Sequence, residues 1–265
     1  MKVTERKYLK EYSEKIGNQI SHLINHFGFS GTKSNFDYLT KTSAVYSSNI
    51  EGNSIDLNSY MNYELNKAKF KQGKEIEEIE QLIKAYEFAQ INQLNEKNLL
   101  KSHEILSKPL LIKSKRGKYR IEPVGVFGKS GIAYLAVEPD FVGEYMKIFF
   151  AELNILLKED LTQEEVFYFA SLVHLRFVHI HPFRDGNGRA ARLLEKWFIS
   201  EKLGKSFWQI PSEEYYKNNQ QKYYDTINLG VNFYELNDDK CLPFLEMLPN
   251  CLKNHHDLPN QHRKP

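Results

Sequence analysis

The stretch His179-Ile180-His181-Pro182-Phe183-Arg184-Asp185-Gly186-Asn187-Gly188-Arg189-Ala190-Ala191-Arg192 holds a base, a carboxylate, two glycines and three arginines in close order. Glycines alternating with Asn187 at the mouth of a helix let consecutive backbone N–H groups turn toward one point. Such a turn is an anion nest, and the positive end of the helix dipole reinforces it. Arg189 and Arg192 stand at i and i+3, on one side of that helix, where two guanidinium groups can fork phosphate oxygens. Asp185 precedes the nest, and a carboxylate beside bound phosphates is the usual way to hold Mg²⁺. His181, with an ordinary pKa of about 6.5, can accept a proton at neutral pH. Singly, each residue has a plain explanation: Asp-Gly and Asn-Gly are common turn dipeptides, surface arginines are solvated, and a histidine ends many helices. In this order they compose a phosphoryl- or nucleotidyl-transfer site.

The elements that must position this loop read as mostly helical. Thr162-Gln163-Glu164-Glu165 is a capping box, and Val166, Phe169, Ala170, Val173, Phe177 and Ile180 carry the 3.6 period up to His181-Pro182, where a residue before proline leaves the α region. After the loop, a helix is expected from about Gly188 to Lys202, with Gly204 past its end. Upstream, helical stripes cover residues 4–27, Tyr38 to about Ile50, about Asn58 to Ala68, Lys74 to Leu94 and Glu96 to Leu106. Val124-Gly125-Val126-Phe127 and Ile132-Ala133-Tyr134-Leu135-Ala136-Val137 flank Gly128-Lys129-Ser130-Gly131, which is the pattern of a β-hairpin. A helix opening at Pro139 should turn Phe141, Val142, Tyr145, Met146 and Phe149 to a core. Tyr215 to Leu229 and Leu242 to Leu252 read as two further helices, and the tail from Lys253 as loose.

The pattern His181-x-Phe183-x-Asp185-Gly186-Asn187-Gly188-Arg189-x-x-Arg192 resembles the signature of the Fic (Fido) family at all eight fixed positions. The resemblance implies a mainly α fold: a Fic-type helical core, one β-hairpin flap and additional N-terminal helices. It implies transfer of AMP from ATP to a Ser, Thr or Tyr hydroxyl of a target protein, with self-modification as an accompanying reaction. Residue by residue, it implies His181 as general base, Phe183 as a buried anchor and Asp185 as the Mg²⁺ ligand. Gly186, Asn187 and Gly188 would cradle the phosphates, and Arg189 and Arg192 would hold the β/γ end. Val124, Gly125, Val126 and Phe127 would belong to the flap over the nucleotide (124–137), which pairs with the target's backbone. Tyr224 and Asn232 would line the adenine pocket.

Ser47-Ser48-Asn49-Ile50-Glu51-Gly52-Asn53 resembles that family's inhibitory motif. Ser47 and Glu51 are i and i+4, neighbours on one helix face, and a glutamate in a last helical turn opposes the dipole and wants a cationic partner. The plain reading is a helix end with a solvated Glu and Gly52 as its stop. The resemblance supplies Arg192 as the partner, with Glu51 in the place of the γ-phosphate.

The expected organisation is an N-terminal helical region (1–95) carrying the inhibitory helix (about 39–52), a Fic core (96–205) with the flap and the motif loop (181–192), C-terminal helices (206–252), and the tail (253–265). The chain has 265 residues, 41% hydrophobic and 13% aromatic, enough for a real core. A formal net charge of +2 is too near balance for wholesale nucleic-acid binding. No apolar run approaches the roughly 18 residues of a membrane span, and the charged start Met1-Lys2-Val3-Thr4-Glu5-Arg6-Lys7 does not read as a signal peptide. Two cysteines, Cys241 and Cys251, exclude a disulfide scaffold and suggest a cytoplasmic setting. A homo-oligomer is left open. His174, His179 and His181 invite a metal reading, but the Asp expected two residues after the second histidine of a His-x-His site is replaced by Phe183. Competing functions are another nucleotidyl or phosphoryl transfer on the same loop, removal of AMP, and a non-catalytic nucleotide sensor or DNA-binding regulator.

Overall fold

The structure, a computed structural model, describes residues 1–29, 31–67, 73–128 and 131–253. Ala68, the Lys129-Ser130 turn and the tail from residue 254 lie outside the described residues. The helices are α1 (Leu9–Tyr12), α2 (Asn18–Phe27), α3 (Lys33–Ile50), α4 (Leu57–Leu65), α5 (Lys74–Ile91), α6 (Glu96–Leu106), α7 (Pro139–Lys158), α8 (Gln163–Ile180), α9 (Asn187–Leu203), α10 (Ser212–Asn218), α11 (Gln220–Ile227), α12 (Leu242–Leu245) and α13 (Met247–Asn250). One antiparallel hairpin, β1 (Gly125–Gly128) with β2 (Gly131–Leu135), pairs Gly125 with Leu135 and Val126 with Tyr134, with a bulge after Val126. Among the described residues the fold is mainly α with a single hairpin, as expected. None of the described helices is long and apolar enough to cross a membrane.

α8 is the centre of the molecule. Its capping box forms: Thr162 Oγ1 accepts from the Glu165 N–H at 3.2 Å, and Glu165 Oε2 accepts from the Thr162 N–H at 2.9 Å. Every residue from Val166 to Leu175 is buried, because α1, α2, α7, α9, α12 and α13 surround the helix. Its apolar stripe is therefore only one of several covered faces. α9 runs against it, buried from Arg189 to Ser200. α3 lies between α5 and α10 and reaches α9.

Several boundaries differ from expectation. α3 begins at Lys33, where the Thr32 hydroxyl accepts from the Asn35 N–H, and ends at Ile50 with Glu51 as its C-cap. The N-terminal stripe becomes helical only at Leu9 and passes through a π turn at Ser13–Gly17. The expected helix over 215–229 is two helices broken at Asn219, whose side chain donates to the Tyr215 carbonyl at 2.9 Å and so competes with the backbone ladder. Leu242 to Leu252 likewise divides into α12 and α13. Phe141 is 47% exposed rather than core-facing, while Val142, Met146 and Phe149 are buried.

Candidate active site

His181 closes α8 in the left-handed region, φ 53° and ψ 57°, the one non-glycine residue with positive φ among the described residues. A side chain there is strained by roughly 1–2 kcal/mol. The strain is held by donors that grip the surrounding carbonyls. The Arg120 guanidinium, 2% exposed, donates from Nε to the His181 carbonyl at 2.7 Å and from Nη2 to that of Ile180 at 3.4 Å. It also donates to the Val137 and Glu122 carbonyls at the base of the hairpin, and the Arg120 N–H donates to the Pro182 carbonyl at 2.9 Å. Tyr134 of β2 donates its hydroxyl to the His179 carbonyl at 2.6 Å. Flap base and motif turn are thus one unit.

Below the turn, Phe183 is fully buried and stacks on His103 of α6 at 3.5 Å between centroids, 8° from parallel. His103 Nδ1 accepts from the Gly117 N–H at 3.0 Å, so Nε2 carries the proton and donates to the Asp185 carbonyl at 2.9 Å. Burial pushes this imidazole down to about 4. Asn187, 2% exposed, accepts at Oδ1 from the Phe183 N–H and donates from Nδ2 to the Phe183 carbonyl, both at 2.8 Å. Its side chain therefore shapes the turn, leaving its backbone N–H at the start of α9 as what it offers an anion. Gly186 takes φ 82°, and a Cβ there would meet Leu106 at 3.0 Å.

The His181 ring places Nδ1 3.2 Å from the Val178 carbonyl, which fixes the proton on Nδ1 and leaves Nε2 as the acceptor. Burial lowers its pKa to about 4, so the ring is neutral at pH 7. Asp185 is exposed, and its Oδ1 accepts from the Gly186 N–H at 2.6 Å. Among the described residues no cluster of three or more His, Cys, Asp or Glu side chains forms a metal site. The donor set does fit Mg²⁺ bound the way it usually is beside nucleotides, through one carboxylate with phosphate and water oxygens completing the shell.

The end of α3 sits over the start of α9. Arg192, fully buried, donates from Nε to Ser47 Oγ at 2.8 Å, and from Nη2 to the Ser47 carbonyl at 2.9 Å and to Glu51 Oε1 at 2.8 Å. The guanidinium is shared between Ser47 and Glu51 rather than forked on the carboxylate. A Cβ at Gly188 would run into the Glu51 carboxylate, so the acid lies directly on the glycine that opens the nest. Desolvation would raise the Glu51 carboxyl, but the charges of Arg192 and Arg189 outweigh it and hold the group below its ordinary pKa. Arg189, 7% exposed, has a 3.6 Å ion pair with Glu78 of α5 but, among the described residues, no hydrogen-bond partner for Nε or Nη1. Buried guanidinium donors left open in this way suit phosphate oxygens.

Tyr224, 42% exposed, donates its hydroxyl to the Ile50 carbonyl at 2.8 Å, beside Gln220 Nε2 on the same carbonyl and Lys217 Nζ on that of Asn49. These donors cap the carboxyl end of α3. Asn232 is used locally: Oδ1 accepts from the Tyr234 and Glu235 N–H groups, and Nδ2 donates to Glu235 Oε2. Its strand partner is Leu135, and with Val124, Gly125, Leu135, Arg184 and Asp185 it lines a groove of about 1050 Å³. Val126 is 40% exposed on β1; the Phe127 side chain lies outside the described residues. The structure thus gathers Ser47, Glu51, His181, Gly188, Arg189 and Arg192 at one mouth, with Asn232 on the flap side. Sequence reasoning missed Arg120, His103, Tyr134 and Glu78. Their partners lie 61, 82 and 45 residues away for the first three, and no local pattern marks them.

Comparison with known proteins agrees with this geometry. The Fic/DOC family model matches residues 93–199. The protein adenylyltransferase Fic of Aedes aegypti is 26% identical over 223 residues, covering 80% of this chain and 40% of that protein. The protein of the same name from Drosophila melanogaster is 33% identical over 90 residues, 34% of this chain and 16% of its own. The chain thus spans well under half the length of these relatives. A Fic family protein from Desulfovibrio desulfuricans superposes with a TM-score of 0.73 at 22% identity, covering 94% of this chain and 73% of that one. Fic-1 of C. elegans superposes with a TM-score of 0.66 at 19% identity, covering 93% and 72%. The buried motif turn and the hairpin joined to it lie within residues 93–199, the part of this chain that is similar to the Fic/DOC family, and the solved structures share the fold.

Proposed function

We propose that this chain transfers AMP from ATP to a hydroxyl of a target protein, and that Glu51 holds the reaction in check. The observation that carries the reading is the Glu51 carboxylate lying on Gly188 and Arg192, an acid at the place where the glycine nest and the arginines call for a phosphate. In the reaction, His181 Nε2 takes the proton of the target hydroxyl. The hydroxyl oxygen attacks the α-phosphorus, the α–β P–O bond breaks, and pyrophosphate leaves. Backbone N–H groups of Asn187 and Gly188 would face the phosphates, with Gly186 turning the chain beneath them, and Arg189 and Arg192 would neutralise the β/γ end. Asp185 would hold Mg²⁺, which when bound stabilises the leaving pyrophosphate's charge. The flap edge, Val124 to Phe127, would receive the target backbone as an added strand. Tyr224 and Asn232 are the proposed adenine contacts, and the setting is cytoplasmic.

With Glu51 in place, Arg192 cannot also take the terminal phosphate, and ATP would seat out of line; a displacement of about 1 Å can cost about 10²-fold. The test compares wild type, Glu51→Gly, and Glu51→Gly with His181→Ala, each with α-labelled ATP and Mg²⁺. The expected self-labelling is weak, strong and none. A folded Glu51→Gly protein that binds ATP yet labels no better than wild type would end the autoinhibition reading. Label arriving from γ-labelled ATP instead would replace AMP transfer with phosphate transfer. A second reading is removal of AMP, in which Glu51, seated on Gly188 at the mouth of the site, would position a water. Release of AMP from a modified protein by wild type, lost in Glu51→Gly, would support it.

A further inference from the structure

Behind Arg192 lies a buried polar chain that the proposed reaction does not yet use. Arg192 Nη1 donates to the Tyr223 hydroxyl oxygen at 3.3 Å, and that oxygen is 2.9 Å from His174 Nε2. His174 Nδ1 is 2.8 Å from Glu195 Oε2, and the Tyr216 hydroxyl lies 3.0 Å from both Glu195 oxygens. His174, Glu195 and Tyr216 are fully buried and Tyr223 is 2% exposed. The direction of the chain is fixed from one end. Arginine only donates, so the Tyr223 oxygen accepts from Arg192, and the arrangement that gives the buried hydroxyl proton an acceptor sends it to His174 Nε2. His174 therefore carries its own proton on Nδ1 and donates it to Glu195. Burial raises the Tyr223 pKa, so the hydroxyl stays protonated at neutral pH. Every donor runs toward one carboxylate.

The two sides of Arg192 differ in kind. Glu51, Ser47 and the Ser47 carbonyl belong to α3, whereas Tyr223 belongs to α11 and is held by α8 and α9 through His174 and Glu195. If Glu51 gives way to a terminal phosphate, the guanidinium loses one α3 contact but keeps Tyr223. We propose that Tyr223, fixed by the His174–Glu195 pair, is a positioning residue that keeps Arg192 aimed at the terminal phosphate and so sets the preference for a nucleoside triphosphate over a diphosphate. This inference rests on the reading of Arg192 as the terminal-phosphate ligand.

The test is made in Glu51→Gly protein with Mg²⁺, by calorimetric binding of ATP, ADP and AMP. Tyr223→Phe keeps the ring, whose centroid lies 6.0 Å from the Arg192 guanidinium carbon, and removes only the hydroxyl. A hydrogen bond to a charged group is worth enough to shift binding roughly tenfold. The expected result is ATP weakened about tenfold, with ADP and AMP unchanged within about twofold. Glu195→Gln, which keeps the volume and removes the charge, should shift the ATP:ADP ratio in the same direction by about threefold; it decides the matter if Tyr223→Phe does not fold. Equal weakening of all three nucleotides would reduce Tyr223 to packing and overturn the proposal. Arg192→Gln separates the layers. If it leaves the ATP:ADP ratio unchanged, the reading of Arg192 itself fails. If it abolishes the preference while Tyr223→Phe and Glu195→Gln do not, Arg192 stands and the positioning role is wrong.

Discussion

Two regions meet at the mouth of the site, and they are built differently. The motif turn is gripped from within: Arg120 on the carbonyls of Ile180 and His181, His103 on that of Asp185, Asn187 on Phe183. Each of these donors is buried, so removing one leaves an unpaired carbonyl in a dry interior. The carboxyl end of α3 is held on its backbone by Lys217, Gln220 and Tyr224, but Glu51 reaches across on a side chain 29% exposed. A surface-accessible carboxylate can leave its arginine by rotating its own bonds; a carbonyl in the turn cannot. The contrast separates a template that must not move from an acid that can.

The contrast can be broken in order of expected effect. His181→Ala in the Glu51→Gly background should lower AMP transfer by about 10²–10⁴-fold while ATP binding stays measurable by calorimetry. Undiminished transfer would remove His181 as base. Arg120→Met should cost roughly 3–5 kcal/mol in urea unfolding, because several buried carbonyls lose their donor. A cost within about 0.5 kcal/mol would mean that the turn is not held from within.

Acid should weaken the template next. His103 has a folded pKa of about 4 against about 6.5 in the unfolded chain. Between those values the unfolded state binds the extra proton and the folded state does not, so stability rises with pH. The contribution is complete above pH of about 6.5 and is lost as pH falls toward about 4, a total of roughly 3 kcal/mol. His103→Phe, which retains a ring against Phe183, should show a shallower fall between pH 7 and pH 5 in urea titrations; identical slopes would contradict the assignment. The smallest effect serves as a control away from the mouth. Thr162→Ala should cost about 1 kcal/mol through the lost capping box and leave AMP transfer per folded molecule unchanged. A transfer defect there would show that the template extends along all of α8.

Much of this was legible in the chain. The capping box at Thr162 fixed where α8 starts, and proline at 182 where it stops. The glycines at 186 and 188 marked the turn at the mouth of α9, where Gly186 takes φ 82°. These are local statements, governed by hydrogen bonds and sterics within a few residues, and spacing encodes them. The span of α3 was misjudged at its start because Thr32 as a cap carries no signal stronger than many other threonines. The break at Asn219 was missed because a side chain competing with its own backbone looks, in sequence, like any polar helix residue.

What the sequence determined by itself was the inventory: a base, a carboxylate, a nest and two arginines at helical spacing, with a second acid at the end of an earlier helix. Tertiary structure decided the contacts within it. It joined Glu51 and Arg192 across 141 residues, left Arg189 with open donors, and tied the turn to Arg120 and His103. It also placed Glu195 behind Arg192 through Tyr223 and His174. Pairings of that range depend on how α3, α6, α8, α9 and α11 pack, and packing is set by the summed burial of many side chains, which no spacing of a few polar residues records.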